Sequence, residues 1–300
     1  MSTINVNNVL PQSGTEVNVN GVVIKDTTNA AFILYGGTSF SPNTSTGSNT
    51  TIVGNGAMLA NTGTKNTAIG ALSSRANTSG SNNTSLGAES LFSNTTGNSN
   101  NAIGKGALYS VTTGTNNTAI GTDALYQNNG TENVCIGNGA GFIATGSYNV
   151  IVGTASGALL TTGSNNVCLG DDTQTATPTT SNSITLGNGL HNVLRCAVTS
   201  ITSLSDARDK KNIKESTYGL DFVDSLKPVT FEWDTRDGAK KDIKDLGFIA
   251  QDLKELDDDY LGLVYDENPE KLEASYGRLI PVLVKAIQEL SQEVKQLKSK

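Results

Sequence analysis

Residues 97–108 read GNSNNAIGKGAL, and residues 114–125 read GTNNTAIGTDAL. The second segment repeats the first after 17 residues, with an aliphatic residue and a glycine at matching places. Alignment of the whole chain on that pair finds nine copies, spaced by 16 or 17 residues. The nine anchor glycines are Gly54, Gly70, Gly87, Gly104, Gly121, Gly137, Gly153, Gly170 and Gly187. A short repeat of fixed period is typical of a solenoid, in which each unit is one coil of a stack.

Each copy carries further recurring residues. A second glycine lies seven residues before the anchor in the first eight copies. Asparagine lies four residues before the anchor at Asn66, Asn83, Asn100, Asn117, Asn133, Asn149 and Asn166. Glycine and asparagine tolerate positive φ, so they are expected to turn the chain between two short apolar strands. Asparagine at a fixed turn position can form a ladder of side-chain hydrogen bonds along the stack.

The repeat predicts a mainly β protein. We expect a β-roll or β-solenoid shaft of about nine coils at residues 43–190, roughly 40 Å long at the usual strand spacing. Residues 1–42 contain strand-like runs such as 31–35. Their opening at 4–14 (INVNNVLPQSG) resembles the start of many phage structural proteins, which implies a virion attachment segment; a cap on the stack is the alternative. Residues 191–204 form a connector and residues 205–300 a second domain.

Charge supports this division of the chain. Of the 49 charged residues, only 12 lie in residues 1–204. The net charge of −7, with no concentrated basic stripe, argues against nucleic-acid binding. The sequence shows neither a signal-peptide pattern nor about 18 consecutive apolar residues, so synthesis in a cytoplasm without membrane insertion is expected.

Few residues of the shaft suggest chemistry. Cys135 and Cys168 take equivalent places in the repeat, where other copies carry small or aliphatic residues, and they are expected to be core residues. No metal site and no cofactor is predicted. An aromatic row follows the anchor glycines by five residues and is expected either to pack in the core or to line a sugar-binding face. Its members are Phe92, Tyr109, Tyr126 and Phe142.

Two further resemblances extend these predictions. The NTAIG motifs at 66–70 and 117–121 resemble the head repeats of trimeric autotransporter adhesins and of phage fibres. That resemblance implies a β-roll shared by three chains; a monomeric solenoid is the alternative. In the second domain, residues 205–213 (SDARDKKNI), 219–233, 247–252 (GFIAQD) and 276–283 (YGRLIPVL) resemble the intramolecular chaperone auto-processing family, called peptidase S74.

The second resemblance implies self-cleavage between Leu204 and Ser205. Ser205 would be the nucleophile and Lys210 its general base, because a lysine whose pKa is lowered by burial can take the proton of a hydroxyl. Lys211 is a rival base. Asp206 and Arg208 belong to the same motif and would orient the scissile strand or pair with each other. Two alternatives stay open: a single-turnover serine endopeptidase, or a retained inactive cap.

The C-terminal residues 276–300 are predicted to form a helix with a coiled-coil seam. Its apolar residues follow a spacing of four and three at Tyr276, Ile280, Leu283, Ile287, Leu290, Val294 and Leu297. The resemblance favours a homotrimer over a dimer. An amphipathic helix packed on its own domain is the alternative.

Together, these features suggest a phage tail fibre or appendage in the virion tail, made in the host cytoplasm. The expected partners are tail or baseplate proteins and a host cell-surface receptor, which could be a glycan. One alternative is a polysaccharide depolymerase, which needs two carboxylates about 5–10 Å apart; the shaft offers only Asp171 and Asp172 as neighbours. The other is a bacterial trimeric adhesin, against which the missing signal peptide counts.

Overall fold

The computed structural model describes residues 45–191, 205–236, 238 and 240–300, together with the backbone of three strands before residue 45. The chain divides into two compact units, Met1–Asn188 and Gly189–Lys300. The cleavage residue Leu204, most of the predicted connector and the third cysteine, Cys196, lie outside the described residues.

The first unit is a β-solenoid, which confirms the predicted fold class. Ten short parallel strands form one sheet in which each strand pairs with its neighbours in sequence. The strands are β3 (Phe32–Leu34), β4 (Thr51–Val53), β5 (Thr67–Ile69), β6 (Thr84–Leu86), β7 (Asn101–Ile103), β8 (Thr118–Ile120), β9 (Val134–Ile136), β10 (Val150–Val152), β11 (Val167–Leu169) and β12 (Ile184–Leu186). Residues 1–42 add β1 (Glu16–Val19) and β2 (Val22–Lys25) as an antiparallel hairpin. Because β3 from that segment joins the sheet, the stack begins before residue 43.

The core of the solenoid follows from the alternation of side chains along each strand. The middle residue points inward, and the first and third residues point outward. The middle residues of β4 to β11 are fully buried. They include Cys135 and Cys168, which are free thiols inside the stack. The Ala-Leu pairs after the anchor glycines, such as Ala107-Leu108, line the same core.

The predicted asparagine ladder is present. The backbone N–H of Asn83 donates to Oδ1 of Asn66 at 2.9 Å, and Asn100 makes the same bond to Asn83. The Nδ2 group of Asn66 donates to the Gly80 carbonyl of the next coil at 2.7 Å. Each amide is fully or almost fully buried, so this ladder replaces hydrogen bonds to water that the core cannot supply.

Both glycine columns allow close approach between coils, but only the anchor glycines also need a positive φ, which is the one reason predicted from the sequence. The anchor glycines have φ between +127° and +140° in eight of the nine copies, as a turn residue requires. The earlier glycines do not have a positive φ; they allow close approach between coils. A Cβ atom on Gly130 would lie 2.0 Å from the carbonyl oxygen of Gly146. Conformational freedom was therefore the wrong explanation for this second column.

The second unit is a small α+β region that ends in a long helix. Its elements are α1 (Leu220–Ser225), β13 (Val229–Asp234), β14 (Lys241–Gly247), α2 (Ala250–Leu256), β15 (Val264–Tyr265), β16 (Glu273–Ala274) and α3 (Leu279–Lys298). The two strand pairs are antiparallel hairpins. A compact core of Leu253, Leu261, Leu263, Leu279 and Val282 joins α2 to α3. Within the described residues, no helix has the length and apolar character needed to cross a membrane.

Candidate active site

The residues predicted for catalysis lie in one tight turn at the start of the second unit. Residues Ala207–Asp209 form a single 3-10 turn. Asp206 caps it, because its Oδ1 atom accepts a hydrogen bond from the backbone N–H of Arg208 at 2.8 Å. Lys210 follows in extended conformation, and its N–H donates to the Ala207 carbonyl. The turn places the long side chain of Lys210 beside Ser205.

The turn brings the predicted nucleophile and base into contact. The Nζ atom of Lys210 lies 2.7 Å from the Oγ atom of Ser205 and 3.3 Å from the Ser205 carbonyl oxygen. Both side chains are exposed in the single chain. A neutral lysine amine at this distance can accept the serine proton, whereas a charged one can only donate. In the described residues, the lysine that contacts the hydroxyl is Lys210 and not its rival Lys211.

Asp206 and Arg208 pair with each other, which was one of their two predicted roles. The guanidinium donates from Nε and Nη2 to both carboxylate oxygens, the shortest distance being 2.6 Å. This bonding lowers the pKa of Asp206 and raises that of Arg208. The pair sets the shape of the turn. It adds little to the stability of the domain, because both groups face water.

Helix α3 presents two distinct faces. Leu279, Val282 and Ala286 are buried against the same unit. The seven residues predicted for the seam, Tyr276 to Leu297 at heptad spacing, are 40–69 % exposed. The helix therefore packs on its own unit, as the alternative required, and still leaves the predicted seam uncovered. Trimer formation through that seam stays a prediction.

Tyr276 differs from the other seam residues. It lies in a 3-10 turn before α3, not in the helix itself. Its hydroxyl accepts a hydrogen bond from the Phe248 backbone N–H at 3.1 Å, and the two rings meet edge to face. Gly247 leaves room for this hydroxyl, since a Cβ atom there would lie 2.6 Å from it. Tyr276 thus fixes the start of α3 to the end of β14.

Sequence reasoning missed a carboxylate that links α3 to the segment after the turn. The Oε2 atom of Glu289 accepts a hydrogen bond from the Leu220 N–H at 2.7 Å, at the N-terminus of α1. Gly219 makes room for it, because a Cβ atom there would lie 2.0 Å from the same oxygen. Lys285 lies 3.8 Å from Glu289 and 4.0 Å from Glu215. Only a weak local signal for this contact is present in the sequence. Glycine precedes α1, and the helix has no capping side chain of its own.

The aromatic row of the shaft is a continuous stack. Successive rings of Phe92, Tyr109, Tyr126 and Phe142 lie 4.8–5.1 Å apart with interplanar angles of 2–11°. Burial raises the pKa of Tyr126, and the nearby Tyr109 and Asp123 add to the shift. Between neighbours in the row, each ring covers the face of the next, so those faces are not open for sugar stacking.

The adjacent acids of the shaft belong to a turn after β11. The Asp172 backbone N–H donates to the Thr154 carbonyl of the preceding coil. Its carboxylate accepts a hydrogen bond from Gln174 at 2.9 Å. Gln174 also donates to the Ala155 carbonyl, so these groups hold two coils together.

Comparison with known families identifies the second unit in part. Residues 205–262 match the family Peptidase S74, described as the chaperone of endosialidase. The match begins at Ser205 and covers the turn, both strands of the first hairpin, and α2. With a β-solenoid in front of it, this domain fits a tail-fibre-like protein. Searches of curated proteins and of solved structures found no match.

Proposed function

We propose that this chain is a phage tail fibre or appendage whose C-terminal domain assembles three copies and then releases itself by cutting between Leu204 and Ser205. The observation that carries the proposal is the 2.7 Å contact between Lys210 Nζ and Ser205 Oγ. It occurs at the first residue of the matched family region and next to the change in composition that separates the two domains.

The chemistry follows from these two side chains. Neutral Lys210 takes the proton of Ser205 Oγ, and the oxygen attacks the carbonyl carbon of Leu204. The bond from that carbon to the Ser205 nitrogen breaks, and Lys210 returns the proton to the leaving amine. Water then hydrolyses the resulting ester, giving a carboxylate at Leu204 and a free amine at Ser205. Each domain copy performs one turnover.

Assembly provides the timing. Both side chains are exposed in the single chain, where water favours the charged form of a lysine. Neighbouring copies that cover the turn would exclude water and favour the neutral amine. The uncovered apolar seam of α3 supports such an assembly, since a helix with this much exposed apolar surface needs a partner.

A shaft of stacked coils also explains why a chaperone is useful. Its strands gain stability only after distant segments come into register, so closure entropy opposes the early steps. Joining three chains at one end raises their local concentration and fixes their alignment. Once the domain has left, the assembled shaft is kinetically trapped. Tail or baseplate proteins and a host surface receptor are the proposed partners of the finished fibre.

Intact mass under denaturing conditions tests the proposal. Wild-type chain should split into two fragments between Leu204 and Ser205, and Ser205→Ala and Lys210→Ala should both stay whole. Lys211→Ala is the matched control and should split like wild type. If the wild type stays whole in a folded oligomer, the domain is a retained cap. If Lys210→Ala splits normally, Lys210 is not the base.

A further inference from the structure

The outward face of the solenoid sheet carries two regular columns of side chains. The first column holds the first residue of each strand: Thr51, Thr67, Thr84, Asn101, Thr118, Val134, Val150, Val167 and Ile184. The second column holds the third residue: Val53, Ile69, Leu86, Ile103, Ile120, Ile136, Val152, Leu169 and Leu186. We call these two columns the outer stripe. It runs along β4 to β12 without interruption.

The outer stripe concentrates the exposed apolar surface of the shaft. Ten large apolar side chains are exposed within residues 45–188, and eight of them lie on the stripe, with exposures of 36–72 %. The two others are Tyr148 and Leu159. None of the eighteen stripe positions is charged. Contiguous apolar surface of this kind marks an interaction site on a folded protein.

The occupant that fits this stripe is a second copy of the chain. The side chains of the outer stripe recur with each strand, about every 4.8 Å. Only a stack of strands with the same period can match them along the whole length. A stripe about 40 Å long and 10 Å wide offers roughly 400 Å² per chain, about half of what each partner buries in a stable interface. Such contact holds only when the copies are also joined elsewhere.

The stripe is not uniform along its length. In β4 to β8 the first column is threonine or asparagine, whereas in β9 to β12 it is valine or isoleucine. The second column is aliphatic throughout. The coils with two apolar columns are therefore those closest in sequence to the C-terminal domain. Burying a valine methyl is favourable, while burying a threonine hydroxyl needs a hydrogen-bond partner.

We propose that the outer stripe is the lateral interface between copies of the shaft, and that association begins at β9 to β12 and spreads toward the N-terminus. The proposal rests on the proposed function, because the C-terminal domain supplies the tether that so small an interface needs. A tether at that end brings the most apolar coils together first, and each later coil then joins at high local concentration.

Cross-linking of the full chain tests the face. In a background with Cys135→Ala, Cys168→Ala and Cys196→Ser, a short bismaleimide is added to Val150→Cys and, as matched control, to Leu159→Cys. Both positions are exposed, but only the first is on the stripe. Covalent oligomers are expected for Val150→Cys alone. If Leu159→Cys cross-links as well as Val150→Cys or better, the outer stripe is not the interface, while the proposed assembly into oligomers still holds. A wholly monomeric protein overturns both.

A second comparison tests the direction. Thr67→Cys, in the same background, probes β5 at an equivalent stripe position. After refolding starts, cross-links at Val150→Cys should form before those at Thr67→Cys. The reverse order, or simultaneous formation, would contradict association that begins near the C-terminal domain. The triple variant Val134→Thr, Val150→Thr, Val167→Thr should slow assembly at least tenfold. Threonine occupies this column in four other coils, so folding of each coil is preserved. An unchanged assembly rate overturns the role of β9 to β12.

Discussion

The Nδ2 group of Asn77 donates a hydrogen bond to Oδ1 of Asn61, one coil earlier, at 2.7 Å. Asn94 makes the same bond to Asn77 at 2.9 Å. These residues form a second buried amide column beside the one predicted from the repeat. Val111 and then Ala144 interrupt it, so the Oδ1 atoms of the preceding Asn94 and Asn128 are left buried without a hydrogen-bond partner. Each interruption is a weak point, because a buried acceptor without a donor destabilises the core.

Val111→Asn should repair the first of these interruptions. The new amide can donate to Asn94 Oδ1 and to the Gly114 carbonyl, as Asn94 does to Asn77 and Gly97. Satisfying a buried acceptor should add about 1–2 kcal/mol to the free energy of unfolding of the shaft. Urea unfolding of the full chain measures it. Val111→Ala, which removes methyl groups without supplying an amide, should destabilise. A lower urea midpoint for Val111→Asn would contradict the repair.

Gly130→Ala should destabilise the shaft by about 3 kcal/mol or more, because the collision is with backbone that the ladder holds in place. The new Cβ atom would lie 2.0 Å from the Gly146 carbonyl oxygen. Gly139→Ala is the matched control: nothing lies within 4 Å, but φ is +62°. Its cost should be only about 1 kcal/mol, from the left-handed backbone. Equal melting temperatures for the two variants would disprove the role of close approach.

Glu289→Ala should loosen the start of α1. It removes a charged acceptor from the Leu220 N–H, a loss of about 1.5–3 kcal/mol for a bond of this type. Hydrogen exchange of the peptide that contains Leu220 should become faster. Glu289→Gln keeps an acceptor and should lie between the alanine variant and wild type. Glu293→Ala, one turn further along α3 and exposed, should exchange like wild type. Unchanged protection in Glu289→Ala would show that α1 does not need this cap.

The stability of the turn at residues 205–210 should depend on pH, because Asp206 titrates. Its pKa is lowered below the ordinary 3.8 by hydrogen bonds from Arg208. A carboxyl group with a lowered folded pKa stabilises the turn above its ordinary pKa, and this contribution is lost as the pH falls through the lower value. NMR titration should give a midpoint below 3.8 for Asp206 in wild type. In Arg208→Ala the midpoint should rise. The same midpoint in both proteins would rule out the pair as the cause.

The sequence was sufficient for the features that repeat. The column from Asn66 to Asn166 recurs in seven consecutive coils, so both its place and its hydrogen bonding could be predicted. The column of Asn61 could not, because equivalent positions carry Val111, Ala144 and Leu160 and the pattern is broken in sequence. Only the structure shows that these side chains share one buried line.

The same distinction holds in the second unit. Ser205 and Lys210 are five residues apart, so a local motif could point to both. Glu289 and the Leu220 amide are separated by 69 residues, and no short motif predicts their contact. The heptad spacing predicted which face of α3 is uncovered, but it gave no sign that Leu279, Val282 and Ala286 would bind the same unit. That face depends on the tertiary packing of α2 and the loops.

Because pairing is uniform from β3 to β12, the length of the shaft is set by the number of its coils. Each junction between coils repeats the same parallel register, so a coil can be duplicated or deleted between equivalent positions without creating a new kind of contact. Shaft length then changes in steps of about 4.8 Å, and the segments on either side of the changed coil are unaltered. Recombination within the repeated coding sequence is thus a simple route to shafts of different length that carry the same N-terminal segment and the same C-terminal domain.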